Sequence, residues 1–293
     1  MGMHTILATG CDAVFYHFLL ETLASWKRLG LLDRADVGII DMGLDLEQVS
    51  ALKAQGHSVV VPGWTIDVPQ ELRKGFMIGD VAKTALREYL PGYDVYIWFD
   101  ADAWAQTDEF FDAFVQGALA KGVAVVREDG YGYKRDYVYR RWWYGHMMAS
   151  FGLWRGFRMA YKPAINSGIW AMSASAPHWE PWREVYAGLI DGRRRLNLDQ
   201  HALNAAIDLF DLPEAQLPAR CNWIATLSHP VWDARRRQFC TPGPDPQPIS
   251  VMHLAGPDKR RTYQLRQLGG GIKPTPITYT AYVDPTADLA MAG

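Results

Sequence analysis

Residues 93–99 read Tyr-Asp-Val-Tyr-Ile-Trp-Phe, and Asp100-Ala101-Asp102 follow directly. Aromatic and β-branched side chains dominate these seven positions, and Pro91-Gly92 sets them off from what precedes. That combination is the strongest strand signal in the chain. The strand ends in two acids separated by one small residue. Where the pleat is lost, two carboxylates at this spacing can converge on one cation. Oxygen ligands suit Mg²⁺ or Mn²⁺, ions that commonly bridge substrate phosphates. Two solvated acids opening a loop would give the same letters, so the tripeptide alone leaves both readings open.

The flanking sequence repeats the strand–helix theme. Thr5 to Thr9 is a short apolar run ended by Gly10, and Asp12 is placed to cap a helix running to about Leu29. Val37 to Asp41 and Ser58 to Val61 are further strand candidates, with a helix over Leu46 to Ala54 between them. Gly79 to Leu90 reads as a helix feeding the central strand; Gln106 to Ala120 reads as a helix and Val123 to Val126 as a strand. This alternation predicts an α/β fold built on a mostly parallel sheet, with ligands at the strand C-termini.

The second half is less regular. Tyr131 to Trp154 is dense in Tyr, Trp and Arg; Ile169 to Ser173 is a strand candidate, Leu198 to Leu209 a helix, and Ile249 to Leu254 a late strand. Beyond Leu268 come Gly269-Gly270-Gly271 and several Pro, Thr and small residues, which read as a surface arm or disorder. No internal repeat is present.

Composition narrows the function. The 293 residues, 49% hydrophobic and 21% charged, are globular in character and exclude collagen-like, coiled-coil or wholly disordered chains. A formal net charge of -2 gives no bulk basic field, so nucleic acid is not an expected partner. The 3 Cys fit no zinc or disulfide framework, which suits a reducing compartment. No bilayer-spanning stretch or signal peptide is legible, so a cytoplasmic protein is expected. The 12 Trp, 14 Tyr and 11 Phe fit either a large core or a carbohydrate site, where flat rings pack on the apolar faces of sugars.

Three more constellations carry chemistry. Asn166-Ser167-Gly168 puts a polar pair and a glycine before a buried strand, and the glycine allows close backbone approach to a ligand. Asp199-Gln200-His201, with Leu203-Asn204, opens a helix with polar groups that can face a cleft. His253, Gly256 and Lys259 follow the last strand; an imidazole can complete an Asp/Asp/His metal site, and a lysine on such a turn can meet a diphosphate. Taken singly, Asn166 could only cap a turn, Asp199 a helix, and His253 could be a structural histidine.

Taken in order, Asp100-Ala101-Asp102, Asn166-Ser167-Gly168, Asp199-Gln200 and His253-x-x-Gly256-x-x-Lys259 resemble glycosyltransferase family 8, over about residues 4 to 266. Its members are retaining nucleotide-sugar transferases with a GT-A fold, among them bacterial galactosyl- and glucosyltransferases and glycogenin. The resemblance implies a GT-A domain over residues 1–267, with a smaller acceptor-side subregion, and an arm over 268–293. It implies Mn²⁺ or Mg²⁺ held by Asp100, Asp102 and His253. It places Thr9, Gly10 and Asp12 against the nucleoside. Lys83, Ala101, Asn166 and Ser167 fall beside donor sugar and phosphate, Gly256 and Lys259 at the diphosphate, and Asp199 and Gln200 at the reacting sugar.

The implied reaction is transfer of a hexose from a nucleoside-diphosphate sugar, UDP-galactose or UDP-glucose, to a saccharide or glycoconjugate. The chain departs from the family's pattern at Gly10, often an acid, at His201, commonly Asp, and at Arg260-Arg261, usually Pro-Trp. Arg140-Arg141-Trp142-Trp143-Tyr144-Gly145-His146 is an acceptor wall or a packed aromatic cluster with an Arg edge. Arg193-Arg194-Arg195 and Arg235-Arg236-Arg237 read as solvated faces, or as weak peripheral contacts with anionic lipid. A nucleotidyltransferase shares such a sheet and acidic site, but Gly10-Cys11-Asp12 lacks the basic loop it needs. A sugar-nucleotide-binding protein without catalysis is the third alternative.

Overall fold

In the computed structural model, residues 3–73, 75–129, 133, 137–190, 198–256 and 262–284 are described. Strand β1 (Thr5–Cys11) leads to α1 (Tyr16–Arg28), β2 (Asp36–Asp41), α2 (Leu46–Ala54) and β3 (Ser58–Val60). Asp12 does not cap α1: its Oδ1 accepts from the Phe15 amide at 3.0 Å, bracing a turn before the helix. The helix expected over Gly79 to Leu90 starts earlier and divides into α3 (Gly75–Thr84) and α4 (Leu86–Tyr89). Next come β4 (Val95–Phe99), β5 (Ala103–Ala105), α5 (Glu109–Lys121) and β6 (Val123–Arg127). The Tyr/Trp/Arg-rich stretch is helical, as α6 (Tyr137–Phe151) and α7 (Leu153–Tyr161). Then follow β7 (Ile165–Ser173), α8 (Trp179–Ile190), α9 (Leu198–Leu209) and β8 (Ala215–Leu217).

The main sheet has seven strands in the order β3-β2-β1-β4-β7-β6-β8. All pair in parallel except β7, which runs antiparallel to both β4 and β6. Alternation along β4 feeds two cores. Val95, Ile97 and Phe99 pack with α1 and α5 residues such as Trp26 and Phe110. Tyr96 and Trp98 face the other way, with Trp170, Trp179 and Trp182. The abundance of aromatics is thus largely core: eight of the largest fully buried side chains are Trp.

The remaining strands are β9 (Trp223–Ile224), β10 (Val231–Asp233), β11 (Gln238–Cys240), β12 (Val251–His253), β13 (Thr262–Arg266) and β14 (Ile272–Pro276), and helix α10 (Tyr279–Val283) closes the described chain. A second sheet, β5-β12-β9, places His253 opposite Ala103, one residue beyond Asp102. Through Asp284, the residues read as a surface arm have a different structure. β14 pairs with β13 across the Gly269-Gly270-Gly271 turn, and α10 packs on α1. Ile277 is 1% exposed, and its carbonyl accepts from the Trp104 indole at 3.0 Å. Among the described residues, no helix is long and apolar enough to cross a membrane.

Candidate active site

The reversal of β7 shapes the site. Because β7 runs against β4, its first residues lie at the edge where β1 and β4 end. The strand begins at Ile165, four residues before the expected Ile169, so Asn166, Ser167 and Gly168 are part of it. The Asp100 amide donates to the Gly168 carbonyl at 2.8 Å, fixing the last turn of the acidic strand against it. A β-carbon on Gly168 would lie 2.3 Å from His253 Cε1 and 2.9 Å from Asp100 Oδ2. The glycine admits the site's own side chains.

Asp100, Asp102 and His253 each offer one ligand atom, all within 4.8 Å of one another. His253 Nε2 lies 3.4 Å from Asp102 Oδ1 and 4.0 Å from Asp100 Oδ2. The other Asp100 oxygen is engaged: the Trp98 indole donates to Oδ1 at 2.7 Å and Lys83 Nζ lies 3.1 Å away.

A chain of amides sets the ring's donor. The Gly168 backbone N–H, which can only donate, reaches Asn166 Oδ1 at 3.0 Å. Asn222 Nδ2 donates to that same oxygen at 3.0 Å, which turns Asn222 Oδ1 toward His253 Nδ1 at 2.9 Å. The ring is thereby set to donate from Nδ1 to Asn222, which turns Nε2 toward the two acids, the orientation an ordered metal ligand requires. Two carboxylates and an imidazole fit a divalent cation, and the nitrogen donor suits Mn²⁺ better than Mg²⁺.

Lys83 is buried between the acids. Its Nζ is 2.9 Å from Asp199 Oδ2, and the Ser167 hydroxyl donates to the same oxygen at 2.8 Å. Burial disfavours the Lys83 ammonium, but Asp100, Asp199 and Asp80 outweigh it and hold its pKa above the usual lysine range. Burial likewise raises Asp199, yet Lys83 and Ser167 bring it below the ordinary carboxylate value. Asp80 goes the other way: desolvation and Asp199, with Asp100 adding, push it well up against the opposing Lys83.

Gly10, Asp12, Lys83, Asp100, Ala101 and Asp102 share a cavity of about 210 Å³ with Met42 and Asp80. Thr9 is fully buried and does not line it. Residue 10 has no room for an acid: a β-carbon there would lie 2.7 Å from both the Ile40 carbonyl oxygen and the Met42 methyl.

Gln200 Oε1 accepts from Asn166 Nδ2 at 3.4 Å, beside Glu128. Gly256 turns the chain at φ 101°, a conformation that favours glycine. Lys259, Arg260-Arg261 and Arg193-Arg194-Arg195 lie outside the described residues. In the Arg140–His146 segment, Arg140, Trp143 and Tyr144 line a cavity of about 560 Å³, and Trp142, Trp143 and His146 pack on His201.

Sequence reasoning missed Glu128, Asn222, Asp80 and Tyr139. Glu128 is buried and follows β6 as Asp100 follows β4, so the same strand-end signal would have found it. Its Oε1 accepts from Asn166 Nδ2 at 3.3 Å, and the Tyr139 hydroxyl donates to Oε2. Tyr139 lines the larger cavity, so Glu128 joins that cavity to Gln200 and Asn166.

This sheet, with an acidic edge and a second small sheet supplying a histidine, is the GT-A fold of glycosyltransferases. The galactosyltransferase LgtC with donor and acceptor sugar analogues is similar over 86% of this chain and 87% of its own, with a TM-score of 0.53 at 11% identity. Mouse xyloside xylosyltransferase 1 is similar over 86% and 96%, with a TM-score of 0.51 at 12% identity. The bifunctional glycosyltransferase WbbM is similar over 88% of this chain and 46% of its own, with a TM-score of 0.53 at 11% identity. No family model and no curated protein matches the sequence.

Proposed function

We propose that this chain is a metal-dependent glycosyltransferase. It moves a hexose from a nucleoside-diphosphate sugar, UDP-galactose or UDP-glucose, to a saccharide or glycoconjugate, with retention. The observation that carries this is the convergence of Asp100, Asp102 and His253 beside the buried Lys83–Asp199 pair, within a GT-A fold. LgtC, of the same fold, binds donor and acceptor sugar analogues, which supports such partners here.

Asp100, Asp102 and His253 would hold the cation, which supplies charge stabilisation for the departing diphosphate. Lys83 binds Asp100 and Asp199 together, so the metal-ligand side and the sugar side of the cleft share one buried cation. Asn166 holds the Gln200 amide oxygen in place, where it faces positive charge developing on the sugar. An amide is a poor nucleophile, which favours substitution on one face, with the leaving phosphate taking the acceptor's proton. Arg140, Tyr144 and Tyr161 give the larger cavity a cation and accessible rings that suit a saccharide.

Calorimetry of UDP with and without Mn²⁺ tests the assignment. The wild type should bind UDP at least about tenfold more tightly with Mn²⁺, and Asp102→Asn should abolish that difference with the fold intact. Unchanged Mn²⁺-dependent affinity in the variant would remove the metal site from the assignment. A donor-hydrolysis screen across nucleotide sugars then identifies the hexose and separates a transferase from a sugar-nucleotide-binding protein.

A further inference from the structure

Helix α7 carries three stripes. Leu153, Trp154, Phe157 and Tyr161 are 65%, 85%, 49% and 76% exposed. At about 100° per residue their spacing confines them to roughly one quarter of the helix circumference. Gly156, Met159 and Ala160 are buried on another face and hold the helix to the domain. Arg155, Arg158 and Lys162 run along the third edge. Apart from Phe157, whose ring meets that of Tyr144 edge-on at 5.4 Å, the aromatic stripe is not the face that packs, and a largely uncovered run of this kind marks an interaction surface.

The charge beside it has one sign. From Tyr137 to Lys162 the chain has five basic residues, Arg140, Arg141, Arg155, Arg158 and Lys162, and no Asp or Glu. One acid from elsewhere, Asp208, reaches Lys162 at 2.6 Å and Arg158 at 3.6 Å, and offsets a single charge. Two copies of this chain meeting through the stripe would bring like charges together. A surface rich in lipid phosphate would instead complement the arginines and take the rings at headgroup depth. The surface is also contiguous with the larger cavity: Tyr161 belongs to the stripe and lines that cavity with Lys162, Arg140 and Tyr144.

We propose that the α6–α7 hairpin docks on an anionic bilayer, with Leu153, Trp154, Phe157 and Tyr161 in the interface and the mouth of the 560 Å³ cavity turned to the headgroups. This surface differs from the arginine triplets that the sequence suggested for lipid contact. One consequence rests on the transferase assignment: the acceptor is membrane-borne, a glycoconjugate whose sugar enters the cavity while its lipid stays in the bilayer.

Vesicle co-sedimentation of the full chain tests the docking. Phosphatidylcholine vesicles containing phosphatidylglycerol should bind the protein at least about tenfold more tightly than phosphatidylcholine alone, with loss at high salt. A Trp154→Ser/Phe157→Ser variant and an Arg155→Glu/Arg158→Glu variant should each lose at least about tenfold in that binding. Both should stay folded with at most a small drop in thermal midpoint, because the replaced side chains are exposed apart from the edge contact of Phe157 with Tyr144 and the Arg158–Asp208 pair. Equal binding of wild type and the Trp154/Phe157 variant overturns the proposal. So does absent or charge-independent wild-type binding, or a dimer without lipid that the same variant abolishes. Calorimetry of UDP with Mn²⁺ on these samples keeps the two assignments apart. Nucleotide binding without vesicle binding removes the docking alone, and the reverse removes the transferase assignment alone.

Discussion

Gly168 shows how much one missing side chain does here. A methyl group at residue 168 would meet His253 and Asp100, and neither can move freely: the imidazole is tied to Asn222 and the carboxylate to Trp98 and Lys83. Gly168→Ala should cost about 1–3 kcal/mol of stability by denaturant titration, as overpacking does. It should also lower Mn²⁺-dependent UDP affinity by at least about tenfold in calorimetry. Glu128 makes a different prediction. Burial raises its pKa above the ordinary 4.5, against donors from Tyr139 and Asn166. The folded state therefore holds this proton more tightly than the unfolded chain. The stability tied to that proton is complete below the ordinary value and is lost as pH rises through the raised one. Thermal midpoints measured from about pH 4 to pH 8 should thus move in favour of Glu128→Gln as pH rises. A difference between wild type and variant that does not change with pH would contradict the raised pKa. Asp100, Asp102 and His253 were legible because the two acids follow directly on a strand and the histidine ends one. Asn222 was not, since its part depends on which way an amide turns between two partners remote in sequence.

Helices α2 and α9 fall where the sequence places them: α9 presents apolar residues at helical spacing, while α2 starts at a capping box in which Gln48 accepts from the Asp45 amide at 3.0 Å. The start of β7 was hidden by its polarity: Asn166 and Ser167 look like loop residues until their side chains are seen to bond Glu128, Asn222 and Asp199. Helix α6 was hidden for the opposite reason. Its rings serve a packed cluster, a cavity wall and solvent, so no single apolar face repeats. In the tail, glycine, proline and threonine signalled looseness, yet they build a hairpin turn and an edge strand. What anchors that segment is sparse in the sequence, chiefly Ile277 and Tyr279, which pack with Trp104 and Leu265. Ile277→Ala should lower unfolding stability by about 2–4 kcal/mol, measured by chemical denaturation. A loss under about 0.5 kcal/mol would mean that the segment adds little to the fold.

Across the molecule, the three candidate metal ligands come from parts far apart in the chain. Asp100 and Asp102 follow a strand of the large sheet, and His253 ends a strand of the small one. A cation and nucleotide bound there would tie the two sheets together, so their binding should register as global stability. UDP at about 100 times its dissociation constant adds roughly 2.7 kcal/mol. For a domain of this size that is a rise of about 5 °C or more in thermal midpoint. The rise should appear with UDP and Mn²⁺ together and fall by more than half with either alone. An equal rise from UDP without metal would place the nucleotide away from Asp100 and Asp102.

The order of the strands also bears on how the chain is made. β4, buried along its whole length in the finished protein, lies between β1 and β7. Its β1 partner precedes it in synthesis, but its β7 partner emerges about 70 residues later. At roughly 5–20 residues per second that is a wait of several seconds. During it, the strand with the most adhesive sequence in the molecule presents an open edge, a template for another nascent chain. The helices α5, α6 and α7 are synthesised in the same interval, and α5 packs against one face of β4. It can cover that face but not the open hydrogen-bonding edge, so yield in a cell should depend on chaperone capacity more than the finished sheet suggests.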